Sequence, residues 1–230
     1  MTQKKNLLST VEVHHGPNSD QPEASVIWMH GLGADAHDFE SIIPMLGIDP
    51  DRSIRFVFPN APKIPVTLNM GMVMRAWYDI NAADWMERRD DVTGVKKSAN
   101  HISDIIANEV RRGIDPANIV LAGFSQGGAM ALYTALRHEV GLRGVMVLSG
   151  YLVCGDTLGA EATEANASIP IFIGHGTFDP MVPHDRADHM ERTLKSAGRK
   201  PERHDYPMAH EVCAEECRHV GHWLNRILTT

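Results

Sequence analysis

The chain is short of everything that would tie it to a membrane, a nucleic acid or an oxidising compartment. No apolar run approaches the ~20 residues needed to cross a bilayer, and the N-terminus, Met1 to Val13, carries two lysines but then breaks into Ser, Thr and Glu without the apolar core of a signal peptide. Basic residues come no denser than short pairs such as Lys96-Lys97, and the formal net charge is −7, which argues against a nucleic-acid partner. Three cysteines, Cys154, Cys213 and Cys217, make no disulfide framework, so a reducing, cytoplasmic setting is the expectation. Cys213 and Cys217 lie one helical turn apart near His210, a spacing that could hold zinc. Yet His210-Glu211 lacks the second histidine of a His-Glu-x-x-His site, and there is no second cysteine pair, so no metal is expected. No internal repeat and no linker interrupts the 230 residues, a length that suits one domain, 1–230.

What is present centres on Gly123-Phe124-Ser125-Gln126-Gly127-Gly128. An apolar run, Ile119 to Ala122, precedes it, and a small-residue run that reads as a helix, Ala129 to Leu136, follows. A short buried strand therefore turns sharply into a helix with a serine on the turn. Flanking glycines permit unusual dihedrals and close backbone approach. Such an elbow exposes the serine hydroxyl at the top of a sheet, and the N–H groups of the helix start favour an anion beside it.

Apolar runs at 25–29, 54–58, 119–122, 144–148 and 169–174 predict buried strands, with short ones around Leu8 to Val13 and Arg203 to Tyr206. Helical spacing predicts helices over 36–46, 95–112, 184–197 and 211–228. Residues 60–74 show no clear period and read as a long functional loop. Strands alternate with helices, which implies a mainly parallel sheet with helices on both faces. Sites in such sheets form beyond the carboxyl ends of the strands, where His30-Gly31-Leu32, Ser125, His175 to Asp179 and His210 fall.

A serine hydroxyl needs a base to take its proton, and a carboxylate to orient that base. On this type of sheet the chain order is Ser, then Asp or Glu, then His. Asp179 is the favoured acid: it follows the strand at 169–174 in a loop stiffened by Pro180 and Pro183. Asp156 is the runner-up, among neighbours that suggest an exposed turn. His210, after the last strand and before the last helix, is the favoured base over His204, His219 and His222. The negative oxygen of a tetrahedral intermediate needs preset N–H donors. One is expected from Gln126, after the nucleophile, and one from Leu32 in the glycine-rich turn after an early strand.

With these residues in place the chain resembles the phospholipase/carboxylesterase family of α/β-hydrolases, which includes acyl-protein thioesterases and small bacterial carboxylesterases. The resemblance rests on His30-Gly31-Leu32-Gly33-Ala34-Asp35, Arg75-Ala76-Trp77-Tyr78-Asp79, the serine elbow, His175-Gly176-Thr177-Phe178-Asp179-Pro180-Met181-Val182-Pro183, and His210-Glu211, in the family's order over nearly the whole chain. It implies an α/β-hydrolase fold without a large cap domain. It also implies Ser125, Asp179 and His210 as the catalytic residues, with Leu32 and Gln126 as the oxyanion hole. Hydrolysis of carboxylic esters or thioesters without a cofactor would follow, on short to medium acyl chains, with a homodimer as one assembly. Lysophospholipids and protein thioesters stay open as substrates, and so does a non-catalytic small-molecule binder on the same fold.

The stretch Lys63 to Met74 is apolar with few charges. It is expected either to plug into the core or to line an acyl groove through Leu68, Met70 and Met72, methionine being adaptable to several chain lengths. Trp77 and Val182, inside the family motifs, are also expected to contact substrate.

Overall fold

The computed structural model describes residues 7–87 and 89–228; residues 1–6 of the polar N-terminal lead, Arg88 within the polar excursion, and the last two residues lie outside it. In chain order come β1 (Thr10–His15), β2 (Ala24–Met29), β3 (Ile54–Pro59), β4 (Lys63–Val66), β5 (Met72–Arg75), α1 (Ala82–Glu87), α2 (Val92–Arg111), β6 (Ile119–Phe124), α3 (Gln126–Arg137), β7 (Gly144–Leu148), α4 (Leu158–Glu161), β8 (Ile171–Gly176), α5 (His184–Ser196), β9 (Glu202–Tyr206) and α6 (Ala214–Ile227). Seven strands form one sheet in the order β1-β3-β2-β6-β7-β8-β9. Every neighbouring pair is parallel except β1 with β3, which agrees with the mainly parallel sheet expected from the strand–helix alternation.

The central strands β2, β3, β6 and β7 are nearly continuous apolar runs because both of their faces are covered. One face packs against α2, α3 and α5 through residues such as Ile102, Ile106, Leu132, Met190 and Leu194. The other packs against α6 and the segment around Phe39 to Leu46, through Trp28, Phe58, Phe172 and Trp223. Strand order reverses between β2 and β6, so the loops leaving their carboxyl ends open a crevice at that point. Met29 lies opposite Gly123 across this pair, which sets the turn at 30–33 beside Ser125.

Three expectations are corrected. The segment 60–74 is not an irregular loop: β4 and β5 pair antiparallel, Lys63 opposite Arg75 and Val66 opposite Met72, in a hairpin apart from the main sheet. Tertiary bonds hold it, from Leu68 N–H to Ile80 O and from Thr67 N–H and Oγ1 to the Asp79 carboxylate. The expected helix over 36–46 is a 3-10 segment, Glu40–Met45, with Pro44 inside it. The edge strand expected at 8–13 runs instead over Thr10–His15.

Helix α6 buries Glu216 fully, and neither carboxyl oxygen has a partner among the described residues. Burial pushes its pKa up to about 8 from an ordinary 4.5. The unfolded chain releases this proton near the ordinary value while the fold retains it. The stability tied to the neutral carboxyl is therefore full below about 4.5 and is lost as pH rises through about 8. Glu216→Gln, which cannot ionise, is expected to gain on the wild type by on the order of a few kcal/mol between acid and mildly alkaline pH. Denaturant titrations at about pH 5 and 9 measure this; a gap that does not change with pH would refute it.

Candidate active site

Ser125 sits where β6 turns into α3, with φ 54° and ψ −121°, a backbone conformation that side-chain-bearing residues rarely adopt. Neighbours hold it there. Its N–H donates to Leu148 O at 2.8 Å and its carbonyl accepts from Ala129 N–H at 3.1 Å. The glycines are a matter of space. A Cβ on Gly123 would lie 2.3 Å from the Gly127 backbone, and one on Gly127 would lie 2.3 Å from Met29 O and 2.6 Å from His30 O. The helix start is thus pressed against the ends of β2 and β6, which points its first N–H groups into the crevice.

Asp179 follows β8, and its carboxylate is fully buried. Oδ1 accepts from the Met181 and Val182 N–H groups, each at 2.8 Å. Oδ2 takes a 2.6 Å hydrogen bond from His210 Nδ1. A carboxylate there can only accept, so Nδ1 carries the proton and Nε2 keeps its lone pair. His210 is partly exposed, with its ring 4.7 Å from that of Phe124. The two loops are stitched together by Thr177 N–H to Tyr206 O and Phe178 N–H to Met208 O. Gly176 lets them close, since a Cβ there would meet Ala209 O at 2.3 Å. Asp156, by contrast, is exposed in a 3-10 turn, Gly155–Thr157, and lines a different cavity.

Among the described residues, the Leu32 and Gln126 backbone N–H groups find no acceptor in the chain, while Gly33 N–H is taken by Arg75 O. Two side chains to which the sequence reading gave no role hold this turn. His30 is buried; its Nδ1–H donates to Gly31 O at 2.7 Å and its Nε2 accepts from Ala61 N–H at 3.0 Å. Burial, with the charge of Arg75, lowers its pKa, in keeping with that neutral form. The Gln126 side chain is buried too, accepting from Trp77 N–H and donating to Tyr78 O. It ties the helix start to the strip after β5.

Ser125, His210, Leu32, Gln126, Leu68 and Val182 all line one cleft of about 460 Å³, with Ile80, Trp85, Phe124, Tyr151 and Met181 completing its apolar wall. Three residues expected to contact substrate are not there. Met70 and Met72 are 97% and 61% exposed, because the hairpin turn at Met70-Gly71, both at positive φ, carries them to the outside. Trp77 is buried behind the cleft, where its indole N–H donates to His30 O at 2.9 Å. Among the described residues no group of three or more His, Cys, Asp or Glu could hold a metal ion, and none of their helices is long and apolar enough to cross a membrane.

Residues 12–228 match the model of a family described as Phospholipase/Carboxylesterase. Acyl-protein thioesterase 1 of Gibberella zeae is 36% identical over 92% of this chain and 94% of its own length. That of Mycosarcoma maydis is 34% identical over 97% and 98%. Among solved structures, SOBER1 of Arabidopsis thaliana superposes with a TM-score of 0.81 at 30% identity, covering 90% of this chain and 99% of its own. Acyl-protein thioesterase 2 of Zea mays superposes at 0.78 and 25% identity, covering 96% and 99%.

Proposed function

The chain belongs to the phospholipase/carboxylesterase family of α/β-hydrolases, and from that premise we propose that it is a serine carboxylesterase acting on esters of short to medium acyl chains. The observation that carries the reading is His210, hydrogen-bonded to the buried Asp179, lining the same cleft as a serine held at positive φ. Ser125 Oγ attacks the acyl carbon as its proton passes to His210 Nε2. The carbonyl oxygen, now negative, takes hydrogen bonds from the Leu32 and Gln126 N–H groups. Collapse expels the alcohol, which receives the proton from His210 and leaves Ser125 acylated. Water, deprotonated by the same nitrogen, repeats the sequence and frees the acid. Asp179 steadies the imidazolium that forms twice per turnover.

A thioester differs in expelling a thiol, and the names of the acyl-protein thioesterase relatives favour that second reading. A panel of matched oxygen esters and thioesters of varied acyl length, ranked by kcat/KM, separates the two. A fluorophosphonate probe that fails to label Ser125, together with no turnover of any member, would leave a binder of the same fold. Leu68, on the cleft wall, is expected to affect chain-length preference. Each CH₂ buried there contributes up to ~0.8 kcal/mol, nearly fourfold in kcat/KM. Leu68→Ala should shift preference toward longer or bulkier acyl groups with the melting temperature little changed. Met70→Ala and Met72→Ala should leave the profile as it is. An unchanged profile in Leu68→Ala with a large loss of stability would remove Leu68 from the groove.

A further inference from the structure

The loop that carries Asp179 is fixed unevenly. Its first half is stitched to the His210 loop through Thr177 and Phe178. Its second half, 180–183, exposes Pro180, Met181 and Pro183 and leads into α5. Yet both N–H groups that hold Asp179 Oδ1 belong to that second half, to Met181 and Val182. Underneath lies His175, on β8 and fully buried. Its Nε2 is 2.9 Å from Val182 O and 3.8 Å from Asp179 Oδ2. Both neighbours are acceptors, so Nε2 carries the proton. Nδ1 has no partner among the described residues, and burial holds the ring below its ordinary pKa, hence neutral.

A buried nitrogen left without a partner is destabilising. A phenylalanine of similar shape would avoid that cost, so packing does not account for an imidazole here. The polar service the ring provides is one N–H. We propose that His175 is a positioning residue whose Nε2–H pins the Val182 carbonyl and so keeps the Asp179 carboxylate turned toward His210. The proposal rests on the reading of Asp179 and His210 as catalytic, but the geometry it invokes can be read without turnover.

Two variants of similar polarity separate positioning from packing. The side-chain amide of His175→Gln reaches the place of Nε2; that of His175→Asn stops at the place of Nδ1. The proton NMR resonance of the His210 Nδ1–H, shifted downfield by its short bond to Asp179, is followed alongside kcat and KM on the best ester of the panel. His175→Gln is expected to keep the resonance and to stay within about threefold of wild-type kcat. His175→Asn is expected to lose the resonance and about 10–100-fold in kcat, with KM within about twofold. The proposal is overturned if His175→Asn keeps both, if the two variants are equally impaired, or if neither folds, which would make the residue structural. A wild-type protein that shows the resonance but hydrolyses no ester would overturn the catalytic reading alone, and the resonance would still test the pin.

Discussion

Ser125→Ala is expected to remove nearly all turnover and leave the fold intact. The two sides of that expectation come from different parts of the residue. The hydroxyl supplies the attacking oxygen, and no neighbouring group among the described residues takes its place. The backbone supplies the structure, through the bonds to Leu148 O and from Ala129 N–H, and alanine keeps both. Residual catalysis of on the order of 10³–10⁴-fold over water can survive from the oxyanion donors and binding alone. Glycine at the same position separates strain from chemistry. With φ 54° and ψ −121° the site penalises any side chain, typically by about 1–3 kcal/mol. Ser125→Gly should therefore raise the melting temperature above wild type while Ser125→Ala does not, and both should be inactive. A Ser125→Ala protein that retained a large fraction of wild-type kcat would defeat the assignment of the nucleophile.

The legible parts of this protein were those written locally. Strands buried on both faces, such as β6 and β7, must be continuous apolar runs, and they read as such. Helical spacing of Ile102, Ile105 and Ile106, all buried, marked α2, although Val110, which continues that spacing, is exposed. The serine elbow was legible because its glycines answer a local demand for space. The hairpin β4–β5 was not. Its strands are four residues long with Pro65 inside one of them, and bonds to Ile80 and Asp79, outside the segment, hold it. Nor does composition say which way a methionine on such a hairpin points, and Met70 points to solvent. Trp77 misled for a related reason. A tryptophan in a motif at the edge of a site suggests a ligand contact, whereas here its indole N–H satisfies His30 O inside the wall. His30 and His175 stood in stretches the sequence marked, but their roles did not show, because a buried histidine serving one carbonyl has no pattern in sequence; its partner is chosen by the fold.

Asp179→Asn carries the second large expectation, and the geometry fixes its sign. Two backbone N–H groups, from Met181 and Val182, point at one side-chain oxygen of Asp179. An asparagine must keep its carbonyl oxygen toward them, since its NH₂ group cannot accept. The NH₂ then faces His210 Nδ1 and donates to it, which moves the imidazole proton to Nε2. That nitrogen is the one the proposed mechanism needs to take the serine proton, and with a proton on it the base is gone. A loss of about 10⁴-fold in kcat is expected, with the melting temperature nearly unchanged because the loop keeps its bonds. Asp156→Asn removes an exposed carboxylate that lines a different cavity, so its kcat should match wild type. Steady-state kinetics of the two variants decide between the acids: the opposite ranking would move the role to Asp156 and require the His210 loop to reorganise around it.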